Sequence, residues 1–138
     1  MALSTAIYTL LHNNATIEAA VSDRIYPGIV PFDGGLPCIV YEVGDIVPDN
    51  NQTSDYNWDR VSIQVTAITT QYNLSETYGN NIRTALSRYS GTVESEVINT
   101  IIFDSMNPGY DPDFTVGVSP TGQGVFMRTC NFTLIRTA

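Results

Sequence analysis

Apolar residues recur along this chain at two spacings. From Leu3 to His12 they fall at Leu3, Ile7, Leu10 and Leu11, the spacing that places them on one face of a helix. Ser4 is a candidate N-cap there and Asn13-Asn14 a stop. A shorter helix is predicted from about Thr16 to Val21, followed by a short extended piece, Asp23 to Gly28, that a Pro-Gly turn closes. Leu74 to Tyr89 carries the strongest helical stripe, with Tyr78, Ile82, Ala85, Leu86 and Tyr89 on one side. Asn73 or Ser75 would cap its start, and Gly91 follows its end.

The other spacing is two. Trp58 to Ala67 alternates, with the apolar Val61, Ile63, Val65 and Ala67 facing one way and Arg60, Ser62, Gln64 and Thr66 the other, which predicts a strand with one covered and one polar face. Pro37 to Val43 is rich in β-branched and aromatic residues and predicts its antiparallel partner. Further strands are predicted at Val97–Phe103 and Val125–Ile135. In the last, Phe126, Arg128, Cys130, Phe132, Leu134 and Arg136 share a face, so that face should pass from core to surface at the strand ends. Asp45 to Asn57, Met106 to Asp113 and the Gly/Ser/Pro-rich Gly117 to Gly124 are dense in turn formers and are predicted as loops. The resulting order is helix–helix–strand–strand–helix–strand–strand. It predicts an α+β fold: a mainly antiparallel sheet of about four to five strands with helices packed on one face. No repeat or linker interrupts it, so residues 1–138 are expected to form a single domain.

Charge narrows the function. The 138 residues carry 14 acids, six Arg and no Lys, for a net charge of −8. The Arg residues are scattered singly, so no basic surface for reading nucleic acid is expected. The N-terminus lacks the basic and apolar regions of a signal peptide, and no apolar run is long enough to cross a membrane, which predicts synthesis in a cytoplasm. Cys38 and Cys130 lie in apolar strand-like segments and read as buried free thiols.

Catalytic chemistry finds few candidates. His12 stands alone at a helix end, where a nucleophile–base pair has no second member. The carboxylate pairs Asp49/Asp55 and Asp111/Asp113 sit in predicted loops and read as solvated turn residues, with a calcium site as the sharper rival. No phosphate-binding glycine loop or dinucleotide motif is present. The chain is expected not to be an enzyme and to hold no catalytic residue, cofactor or metal. The aromatics stand out instead: Tyr56 and Trp58 border the first loop, and Tyr110 and Phe114 lie in the second. Amphipathic rings beside acids and amides suit protein–protein contact. Asp49, Asn51, Asp55, Tyr56, Trp58, Tyr110, Asp111, Asp113 and Phe114 are therefore the candidate partner interface.

One ordered set of short motifs spans nearly the whole chain. It comprises Asp23-Arg24-Ile25-Tyr26-Pro27-Gly28, Leu36-Pro37-Cys38-Ile39-Val40-Tyr41, the alternating Arg60–Ala67, Ile82-Arg83-Thr84-Ala85-Leu86, Tyr110-Asp111-Pro112 and the closing strand. This set resembles the tail-completion, or tail-terminator, family of long-tailed bacteriophages. The resemblance implies a virion protein that forms a ring, usually of six copies, terminating the tail tube and joining it to the head-side neck proteins. It implies the tail tube protein and a neck or head-completion protein as partners, with DNA passing through the lumen without specific binding. It brings no catalytic residues. Two readings stay open beside it: another neck ring protein, of the head-completion or stopper kind, and a small calcium- or ligand-binding α+β module.

Overall fold

Strands form wherever the spacing of two prevails, and they run longer than the pattern suggests. The structure is a computed structural model that describes residues 3–28, 36–50, 57–111 and 124–137. Its elements are helices α1 (Leu3–His12) and α2 (Ala15–Val21), strands β1 (Ile25–Pro27), β2 (Cys38–Asn50) and β3 (Asn57–Thr69), helix α3 (Tyr72–Leu86), and strands β4 (Gly91–Val93), β5 (Glu96–Asp111) and β6 (Val125–Thr137). The six strands make one sheet in the order β1-β2-β3-β6-β5-β4, more strands than the four to five expected. Every pairing is antiparallel except that of β1 with β2.

The helices lie on one sheet face, as the alternation requires. Val61, Ile63, Val65 and Ala67 of β3 are buried in one cluster with Ile7 and Leu11 of α1, Ile17 and Val21 of α2, and Ile82 and Leu86 of α3. Each of the Val, Ile and Leu side chains removed from water contributes roughly 1.5–3 kcal/mol. The opposite face is polar through its middle: Gln64 reaches Asn131 at 3.4 Å, Thr66 reaches Thr129 at 3.2 Å, and Asn131 donates to Ser105 at 3.0 Å. At one end of that face a second, small cluster gathers Cys38, Ile68 and Val125 with Val40 and Met127.

Several local expectations need correction. Asp45–Asn50 is the second half of β2 and Met106–Asp111 the second half of β5, not loop. Ser4 lies inside α1, not before it. Asn14 does not merely stop α1; its side chain accepts from the N–H groups of Thr16 and Ile17, both at 3.1 Å, and caps α2. α3 starts at Tyr72 and ends at Leu86, with Gln71 as an N-cap that makes no side-chain bond. Ser75 spends its hydroxyl on Tyr72 O at 2.6 Å within the helix, so it cannot cap the start. Gly91 opens β4.

Candidate functional site

The motif around Arg24 proves to be architecture. β1 lies parallel to β2 with Ile25 opposite Ile39 and Pro27 opposite Tyr41. Ile39 N–H donates to Arg24 O, Gly28 N–H donates to Tyr41 O, and Arg24 Nε donates to Pro37 O at 2.8 Å. Gly28 turns the chain away at φ +79, a conformation that favours glycine. The Asp23–Gly28 and Leu36–Tyr41 motifs are thus bonded to each other, and Arg24 is committed to holding them together.

The described candidate interface residues divide between opposite ends of the sheet. Asp49 pairs with Trp58 across β2 and β3, and Trp58 pairs with Thr137 on its other side. Tyr110 and Asp111 close β5 at the far end, opposite Phe126 and Val125. Asn51, Asp55, Tyr56, Asp113 and Phe114 lie outside the described residues. The structure therefore brings Asp49 to Trp58 and Tyr110 to Asp111 but keeps the two pairs apart.

Trp58 stands on the helix-free face, where the register also places Val47, Val97, Ile102 and Ile135. Val47 is 56% exposed, Trp58 46%, Val97 44% and Ile102 46%, so apolar surface is concentrated at this end. Trp58, Thr100, Ile135 and Thr137 line a shallow, open hollow of about 450 Å³ there. Val47, Val97, Ile102 and Ile135 were not among the expected site residues. Val97, Ile102 and Ile135 lie within the predicted strands, where their apolar character was visible but not their exposure, and Val47 lies past the predicted end of its strand.

The far end presents a different surface on the helix-covered side. Tyr110 is exposed and packs on Phe126 with centroids 4.9 Å apart, and Tyr72 meets Phe126 edge-on at 5.7 Å. Arg128 extends beneath α3 with its guanidinium 5.4 Å from the Tyr72 ring, and its buried Nε and Nη2 have no hydrogen-bond partner. Between the two ends, Glu42, Asp45 and Asp104 border a polar groove on the open face. Among the described residues no group of three or more His, Cys, Asp or Glu could hold a metal ion. His12 stacks on Tyr8 at 5.4 Å, within its own helix. Cys38 and Cys130 are buried free thiols, as expected. The geometry places exposed aromatic side chains, Trp58 and Tyr110, at two ends of a sheet.

The family model for the tail completion protein gp17 matches residues 5–116. The chain belongs to the tail-completion protein family. Membership makes it a structural protein of the phage tail and neck, located in the virion. The fold of this tail-completion protein is also found in a chain of a solved structure titled "Virion of native gene transfer agent (GTA) particle". That likeness has a TM-score of 0.71 at 14% identity and covers 99% of this chain and 96% of the other. No curated protein sequence matches the tail-completion protein.

Proposed function

We propose that this tail-completion protein is a single-domain, non-enzymatic subunit of a ring, six copies in number, that closes the head-proximal end of the tail tube and joins it to the neck. The observation that carries the reading is family membership over residues 5–116. The fold shared with a chain of a virion particle supports it. So does the division of the candidate contacts: a piece set between two different neighbours needs two surfaces facing opposite ways. Asp49, Asn51, Asp55, Tyr56 and Trp58 would serve one neighbour, and Tyr110, Asp111, Asp113 and Phe114 the other. One neighbour is the tail tube protein and the other a neck or head-completion protein.

The charge suits a conduit. A ring of chains each at −8 repels phosphate, so DNA crosses its lumen without adhering. The test is complementation in extracts. Tails made without this protein should fail to join heads, and adding the purified protein should restore joining and place a ring at the tube end visible by electron microscopy. Normal joining in its absence would sink the proposal.

A further inference from the structure

Among the described residues, neither side of the sheet ends in a strand of matching length. β1 covers only Ile39–Tyr41 of β2, and β4 covers only Glu96–Ile98 of β5. Beyond them, β2 from Val43 to Asn50 and β5 from Phe103 to Tyr110 have no strand on their outer sides among the described residues.

The outward backbone groups can be identified. Ile39 N–H and Tyr41 O bond outward to Arg24 and Gly28. In an antiparallel ladder outward and inward residues alternate, and directly opposed residues point either at or away from each other. Carried through the observed registers, this makes Val43, Ile46, Pro48 and Asn50 outward on β2, and Ile101, Phe103, Met106, Pro108 and Tyr110 outward on β5. The bond from Arg88 N–H to Ile101 O, on the far side of the sheet, agrees independently. Pro48 and Pro108 thus aim their missing N–H outward, where it costs the sheet no bond. Of the seven exposed large apolar side chains among the described residues, five are on these two strands: Ile46 and Val47, and Val97, Ile102 and Tyr110.

We infer that copies of this chain join edge to edge, the outer side of β5 on one subunit pairing antiparallel with the outer side of β2 on the next. This inference rests on the ring reading above. β2, β3, β6 and β5 alternate in direction, so β2 and β5 run oppositely. In a ring of like-oriented copies the junction therefore continues the alternation found inside each subunit. Two different surfaces meet at every junction, the heterologous arrangement that closes into a ring. The register shifts at Val43/Ile46 and Phe103/Ser105, together with Pro48 and Pro108, exclude strands that lack matching interruptions. Exposed Asp45 and Asp104 put like charge on both edges, so added salt strengthens the junction.

Ile46→Pro removes one outward N–H from β2, and Tyr110→Pro removes one from β5. Both side chains are exposed, and thermal unfolding of each variant checks that the subunit still folds. Sizing by light scattering should show rings for the unaltered chain and monomers for each variant alone. An equal mixture should stop at a dimer, because it holds one intact edge of each kind. Rings formed by either variant alone would overturn edge pairing and leave the ring reading standing. An unaltered chain that stays monomeric both alone and on tail tubes overturns the ring reading itself. If a variant fails to fold, hydrogen exchange of the unaltered chain decides: the amides of Val43, Ile46, Phe103 and Met106 gain protection on assembly, and unchanged exchange there overturns the pairing.

Discussion

Arg136, the penultimate residue of β6, points to the side that faces the core, and a cation there must be met by anions. Its Nε lies 3.1 Å from Asp59 Oδ2 and its Nη1 3.2 Å from Glu96 Oε2, with the three side chains 18%, 12% and 13% exposed. Replacing Arg136 with Met would leave two largely buried carboxylates facing each other. Breaking a buried pair costs about 3–5 kcal/mol; the residual solvent access here lowers that to roughly 2 kcal/mol. Urea midpoints should show this loss, and Asp59→Asn in the same chain should recover part of it. The cysteines give a pH dependence instead. Burial pushes the Cys38 thiol up to about 12 and the Cys130 thiol up to about 11, against the pull of nearby Arg24 and of Arg128 and Arg83. The unfolded chain ionises both near the ordinary value of 9.0, while the fold keeps them neutral. Above that pH the unfolded state releases protons that the native state retains, so stability falls as pH rises through 9 toward 11–12. Burial raises Tyr41 as well, which acts in the same direction. A Cys38→Ala, Cys130→Ala double variant should therefore lose stability less steeply between about pH 8 and 10.5 than the unaltered chain. An equal slope would show that the thiols are not responsible.

At the scale of elements, α3 depends on one close approach. Gly79 is buried, and a Cβ there would lie 2.5 Å from Arg128 Cγ and 3.2 Å from Met106 Sδ. Alanine favours the helix by about 1 kcal/mol, but overpacking costs about 1–3 kcal/mol. The Arg128 Cγ is anchored close to its strand and cannot swing clear, so the second term wins. Gly79→Ala should lower stability by on the order of 1 kcal/mol. A stabilised variant would mean that α3 can slide on the sheet. The same elements show what the chain's pattern could and could not reveal. The alternation in Arg60–Ala67 was legible because both faces of a central strand are chemically distinct. The second halves of β2 and β5 were not, because Pro48, Pro108 and their Asn and Asp neighbours are loop formers. Those prolines are admissible because they sit outward on stretches of β2 and β5 that no strand covers among the described residues, a fact about sheet order and not about local sequence. β4 was hidden for another reason. Its hairpin to β5 turns at Glu94 and Ser95, with φ 50 and 68. Both are left-handed positions that Asn-Gly normally announces.

For the whole molecule, the candidate site was legible in its chemistry and not in its layout. Trp58 and Tyr110 do carry exposed aromatic surface. What sequence could not show is that the strands connecting them span the full sheet, so that they stand at opposite ends. This separation gives the proposed joining role a sharp test. Trp58 shares the helix-free face with exposed Val47, Val97 and Ile102, and packs under no helix. Trp58→Ala therefore removes contact surface more than core, and its thermal unfolding should stay close to that of the unaltered chain. Anchors of this kind cost at least about 2 kcal/mol in an interface when truncated, a loss of roughly thirtyfold in affinity. Head–tail joining in extracts should fall accordingly at limiting protein and recover when more is added. Tyr110→Ala should impair a contact at the other end. The two single variants should then stall assembly at different steps, one leaving the ring unattached to the tube and the other leaving capped tails without heads. If both stall at the same step, the two ends serve one partner and the two-neighbour arrangement is wrong. If Trp58→Ala unfolds the subunit, Trp58 is core and the patch around it is not a docking surface.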